Sequence, residues 1–139
     1  MSGLSLGPIL TFLENDDIET LEQFLDCDKV DIDEDDDEGC TGLHHAVTQN
    51  KNQFVSCFLR KGANPNKSDI NSRTPLSEAV IVDNTEVVQA LLEAGADPEL
   101  SDNDNWTPML FACYLGHQEC VRILLEAGAS VYSQVQKYM

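Results

Sequence analysis

Three histidines, five cysteines and 25 carboxylates are the side chains of this 139-residue sequence that bear on acid–base, nucleophilic or metal chemistry. His44, His45 and His117 invite a catalytic or ligating role. However, no Ser, Cys or carboxylate has a defined base partner, and no glycine-rich phosphate loop occurs. The cysteines are odd in number and contain no C-x-x-C pair, which argues against both a disulfide framework and a zinc site. Asp31, Asp33 and Asp35 resemble the start of a calcium loop, but that register needs Gly where Asp36 stands and Glu where Gly42 stands. The expectation is a protein without catalytic residues, metal or cofactor.

Charge narrows the partners. The formal net charge is −17, which repels phosphates and disfavours nucleic acid. Residues 1–38 hold 14 acidic residues against one lysine, Lys29, and the densest run is Asp26 to Glu38. Two readings of that run stand: a solvated loop that keeps the chain soluble, or an electrostatic landing site for a basic partner. No apolar run approaches a membrane span, and MSGLSLGPILTF lacks the basic start of a signal peptide. These features point to an intracellular protein, cytoplasmic or nuclear.

The elements that position these residues repeat. Thr107-Pro108 returns 33 residues earlier as Thr74-Pro75 and again as Thr41-Gly42; Gly128-Ala129 returns as Gly95-Ala96 and Gly62-Ala63; Asp102, Asp69 and Asp36 share the register. A fixed period kept by turn residues and apolar residues together is the mark of a stacked solenoid, whose units bury their apolar faces only against their neighbours.

The segments TPMLFA, TPLSEA and TGLHHA, each followed by a Gly-Ala turn, resemble the T-P-L-H-x-A of ankyrin repeats. The resemblance implies an all-α solenoid of stacked helix-turn-helix units joined by hairpin-like turns. It implies a surface for macromolecules and no reaction. One domain over 1–139 is expected: a degenerate capping repeat at 1–35, repeats at 36–68, 69–101 and 102–133, and a tail or truncated repeat at 134–139. The family's Thr and His brace the turn. Only Thr41 and His44 retain both, since Ser77 and Leu110 replace the His, while His117 belongs to a G-H-x-E/D segment common before a second helix.

The expected helices are Leu6–Glu14 and Asp17–Asp26 in the cap, Gly42–Gln49 and Asn52–Lys61, Pro75–Val82 and Thr85–Ala94, and Pro108–Leu115 and Gln118–Ala127. Leu10 and Leu13 of the cap register with Leu43 and Ala46, and Leu21 and Leu25 with Phe54 and Phe58. Pro at a first helical turn and Gly just past a last one suit unpaired helix ends. Between helices stand Asn50, Asp83 and Gly116, with Asp83 the strained member. The core columns are Leu43, Leu76, Met109; Ala46, Ala79, Ala112; Val55, Val88, Val121; Phe58, Leu91, Leu124; and Leu59, Leu92, Leu125. Cys57, Cys113 and Cys120 fall in core columns, while Cys27 and Cys40 fall at exposed ones.

In ankyrin-like solenoids the turn tips and exposed ends of the first helices line a groove. Register places there Asp37, Glu38, Cys40, Thr48 and Gln49; then Ile70, Asn71, Arg73, Ile81 and Val82; then Asn103, Asp104, Trp106, Tyr114 and Leu115. This surface grades from acidic to apolar and aromatic. Exposed large apolar residues in a row are uncommon on a monomer without a binding role, and Trp and Tyr are frequent hot spots. The chain therefore reads as a monomeric binding module for another protein, through a segment with apolar or aromatic anchors and basic flanks. The alternatives are a scaffold segment of a longer ankyrin-repeat protein, or a targeting or regulatory subunit of an enzyme. At the C-terminus, Met139 falls in register with Trp106, one residue before another Thr-Pro is due. The expectation there is a fragment of a longer array, with a makeshift cap formed by 130–139, or a short natural protein, as the alternatives.

Overall fold

A computed structural model describes residues 4–130; the expectations for the tail and its capping lie outside the described residues. Among the described residues there are eight helices and no strand. They are α1 (Leu6–Glu14), α2 (Ile18–Leu25), α3 (Gly42–Thr48), α4 (Asn52–Arg60), α5 (Pro75–Ile81), α6 (Thr85–Glu93), α7 (Pro108–Leu115) and α8 (Gln118–Glu126). The expected spans hold to within a residue or so at each end.

The helices α3, α5 and α7 each start because a threonine with extended backbone satisfies an orphan N–H of the opening turn. The hydroxyls of Thr41, Thr74 and Thr107 accept from the backbone N–H of His44, Ser77 and Leu110. Pro75 and Pro108 occupy the first turn, where a missing N–H costs nothing. Gly42 replaces proline for a packing reason. A Cβ there would lie 2.8 Å from Ile9 Cγ2 and 2.9 Å from Phe58 Cζ, so the cap helix closes directly on the start of α3. Asp17 and Asn84 cap α2 and α6 through their side-chain oxygens.

The first helices α1, α3, α5 and α7 pack in order, and the second helices α2, α4, α6 and α8 pack in order beside them. Leu43, Leu76 and Met109, with Ala46, Ala79 and Ala112, are buried between first helices; Phe58, Leu91 and Leu124 are buried beneath the second. The small alanines allow close approach of the first-helix layer, and the larger residues fill the space between layers.

Turns add a second periodic scaffold. Asp36, Asp69 and Asp102 each accept two backbone N–H bonds at 2.9 Å, from residues two and four positions on: Glu38 and Cys40, Asn71 and Arg73, Asp104 and Trp106. The tips are then linked, Ile70 N–H to Glu38 O at 2.8 Å and Asn103 N–H to Asn71 O at 2.9 Å. A third ladder joins the linking loops: Asp33, Asn66 and Glu99, spaced by the period, accept from the N–H of Asn64, Asp97 and Ser130. These bonds join neighbouring repeats at the boundary that His44 also bridges and at the next one, where Ser77 stands in its place.

Several sequence expectations need correction. Leu125 is 49% exposed and Cys113 is exposed, although Leu92 is half-buried and Val47 and Val80 are buried at the same register. The reason is positional: α7 and α8 have no described neighbour on their outer side. Val121, Leu59 and Leu92 are also only partly buried. The cap follows a 34-residue offset rather than 33. The left-handed Asp16 matches Asn50, the buried Ile9 matches Leu43, Leu13 matches Val47 and Leu21 matches Val55, the extra residue being absorbed in the linking loop. Asp83 shares its left-handed backbone with Asn50, and so do Asp16, Ser72 and Asn105.

Cys40 is half-buried rather than exposed, and burial, reinforced by Asp36 and Asp69, pushes its thiol up to about 11. Buried Cys120 donates to Asp83 Oδ1 at 3.4 Å and is pushed up to about 12, with burial the first cause. Thiol labelling at pH 7 should therefore modify Cys27 and Cys113 quickly, Cys40 slowly, and Cys57 and Cys120 only after unfolding. Rapid labelling of Cys57 in native conditions would contradict the core assignment.

Candidate functional surface

The aromatic end of the turn-and-helix surface is built by α7 and the turn before it. Asp102 grips the Trp106 backbone from both sides, accepting its N–H and donating its own N–H to the Trp106 carbonyl at 2.9 Å. Thr107 then starts α7, whose periodicity sets Phe111, Tyr114 and Leu115 on the same side of the helix. The Trp106 and Phe111 rings are 5.1 Å apart, and Tyr114 meets Trp106 edge-on at 5.4 Å. Tilted and edge-on contacts at these distances are arrangements that aromatic pairs favour.

Arg73 joins this cluster to repeat three. Its guanidinium lies 5.2 Å from the Phe111 ring centre, 3.5 Å from Glu78 and 3.6 Å from Asp102. One cation thus serves two carboxylates, and burial pushes Glu78 up against the opposing pull of Arg73. The Arg73 Nε is buried and has no hydrogen-bond partner.

Arg73, Ile81, Trp106, Phe111, Tyr114 and Leu115 line an open pocket of about 440 Å³ between repeats three and four. Tyr114 is 77% exposed and Leu115 42%. Five of these residues are groove positions read from the sequence. Phe111 was missed, although its column, His45 and Glu78 in the preceding repeats, was available from the register. Val82 is half-buried and Ile70 is 65% exposed at its turn tip; neither lines the pocket. Asp104, Asp37 and Glu38 are exposed on turn tips, and Cys40 stands in the turn beneath the latter two, also away from the pocket.

The acidic run divides into structural and outward-facing carboxylates. Glu34 Oε2 accepts from the N–H groups of Ser5 and Leu6, which anchors the start of α1; Asp33 belongs to the loop ladder; Asp35 faces Lys67 at 3.5 Å and Asp26 faces Lys61 at 2.6 Å. Asp36 also meets His45 Nε2 at 3.0 Å. Burial would raise the Asp36 carboxyl, but hydrogen bonds from Cys40, His45 and Glu38 outweigh it and hold the carboxyl below its usual range. Asp37 and Glu38 remain exposed at the tip.

The histidines are structural in geometry. His44 Nδ1 accepts from Thr41 N–H at 3.2 Å, closing a reciprocal cap, and its Nε2–H donates to Arg73 O at 3.3 Å across the repeat boundary. Burial holds His44 below the ordinary histidine range, so the folded state keeps it neutral where the unfolded chain would protonate. The resulting penalty on stability appears as pH falls below about 6.5 and disappears above it. His44→Ala should cost about 1–2 kcal/mol at pH 7.5, the size of a lost cap, and flatten the stability change between pH 5 and 7.5. An unchanged slope would move that pH dependence to other groups. His117 lies 3.6 Å from Asp83. No group of three or more His, Cys, Asp or Glu suited to a metal occurs among the described residues.

Comparison with curated proteins found no match. Two family profiles do match: ankyrin repeats (3 copies) over residues 9–102, and ankyrin repeat over residues 104–135. Ankyrin repeats are in general non-enzymatic modules for protein–protein interaction. No described helix is long and apolar enough to cross a membrane. The repeated Thr-capped helix pairs, the linked turn tips and matches that cover most of the sequence lead to one conclusion: the chain belongs to the ankyrin-repeat family.

Proposed function

We propose that the chain binds a segment of another protein across its turn tips and first-helix ends, with apolar or aromatic anchors seated in the Trp106 pocket and basic flanks steered by the acidic N-terminal end. The supporting observation is the pocket itself, an open apolar space beside a cluster of contacting aromatic rings on a chain of net charge −17. Desolvated aromatic anchors supply most affinity in such contacts, while charge sets approach and orientation. Of the seven described Lys and Arg residues, only Lys29 stands outside the chain's own ion pairs, so the surface a partner meets is overwhelmingly negative. Five free cysteines suit a reducing compartment, cytoplasm or nucleus, and we take the chain to act as a monomer.

The test is a pull-down with the intact chain and with Tyr114→Ala, at low and at moderate salt. A partner retained by the parent chain, weakened by salt and lost with Tyr114→Ala supports the reading. Partners that bind both chains alike place recognition on another face, and the absence of any partner favours a supporting role for these repeats within a larger protein.

A further inference from the structure

A second cleft stands on the same face. Leu10, Leu13, Glu14, His45, Gln49 and Lys51 line an open space of about 270 Å³ between repeats one and two. With the 34-residue offset of the cap, Glu14 occupies the helix-end position that Thr48, Ile81 and Tyr114 occupy in the following repeats. The two clefts therefore sit on one row of first-helix ends, separated by two repeat spacings.

Their chemistry differs. The Trp106 pocket is apolar, whereas around the first cleft stand Glu14, Asp16 and the Asp36–His45 pair. Lys51 is the one cation there, and it is committed: its Nζ donates to Leu13 O at 2.5 Å and pairs with Asp16 at 2.9 Å. Glu14 is exposed and has no partner among the described residues. The cleft therefore carries an excess of negative charge, with an apolar floor from Leu10 and Leu13 suited to the stem of a long side chain.

We infer that the partner is an extended segment carrying a large apolar residue and a lysine or arginine five or six positions apart, the first seated in the Trp106 pocket and the second in the cleft at Glu14. The spacing follows from geometry. Packed helices lie about 8–10 Å apart, so two repeats span about 16–20 Å. An extended chain advances about 3.3 Å per residue, which covers that span in five or six residues. This inference rests on the binding reading above and specifies its ligand.

The test is selection of a randomised twelve-residue peptide display library on the intact chain, followed by affinity measurement of the selected peptides on Tyr114→Ala and Glu14→Gln, both exposed sites whose folding is checked by circular dichroism. The expected consensus has an apolar residue and a basic residue five or six positions apart. Tyr114→Ala should weaken these peptides about thirtyfold. Glu14→Gln should weaken them about three- to fivefold, an effect that salt reduces and that vanishes for peptides with Ala at the basic position. A consensus without that spacing, or a basic position indifferent to Glu14→Gln, overturns this inference and leaves the groove reading standing. Peptides indifferent to Tyr114→Ala, or no enrichment at all, overturn both.

Discussion

Phe58→Ala should lower the unfolding free energy by about 3–5 kcal/mol, the cost of removing a buried ring and leaving a cavity. Phe58 is fully buried, touches the start of α3 near Gly42, and gives its carbonyl to the Ala63 N–H in the left-handed turn that ends α4. The cavity would open between the cap and repeat two, where Ile9 and Leu21 also converge. Because each repeat depends on its neighbours for burial, the loss should appear as a lower urea midpoint for the whole helical signal. A change below about 1 kcal/mol would mean that the cap is not packed as described.

The second large effect concerns binding. Tyr114→Ala should cost about 2 kcal/mol or more in partner affinity, as truncation of a hot spot does, while changing stability by less than about 0.5 kcal/mol because the ring is mostly exposed. Trp106→Ala should cost binding similarly but also reduce stability, since this ring supports Phe111 and Tyr114 from a half-buried position. The pair separates anchor from support. Neutralising Asp37 and Glu38 should act differently again, slowing association and flattening its salt dependence with little change in dissociation. Asp36 is unsuitable for that experiment, because its carboxylate holds the turn together. If Trp106→Ala destabilises the chain yet the folded fraction binds normally, the tryptophan is a packing residue.

Much of the fold was legible because the features that set it are local and periodic. Thr-Pro, Gly-Ala and the Asp column each mark a hydrogen-bonded turn that recurs every 33 residues, and the structure uses each of them. The cap register was harder to read: with its Thr-Pro-Leu-His signal gone, only apolar residues remained, and Leu10 and Ile9 fit the pattern about equally. Backbone landmarks at Asp16 and Asn50 decide it. Exposure at the end of the stack was illegible for a different reason. Cys113 and Leu125 look like core residues by column, but burial depends on a neighbouring unit that the column does not specify. Charge in the acidic run was misleading in the same way, since composition counts Asp33, Glu34 and Asp36 with Asp37 and Glu38, while the structure uses the first three as hydrogen-bond acceptors. Phe111 is not a helix-end position, so the groove register does not include it. One turn earlier, the same face of α7 carries the ring that Arg73 covers.

Trp106 is the chain's single tryptophan, so its fluorescence reports on the pocket without labelling. The most direct measurement is its emission during titration with a partner recovered by the pull-down, alongside calorimetry of the same mixture. The account predicts a saturable change in emission with the midpoint given by the heat of binding, and a weaker midpoint in both signals for Tyr114→Ala. A heat of binding that saturates while Trp106 emission stays unchanged would contradict it, because the partner would then be held away from the pocket.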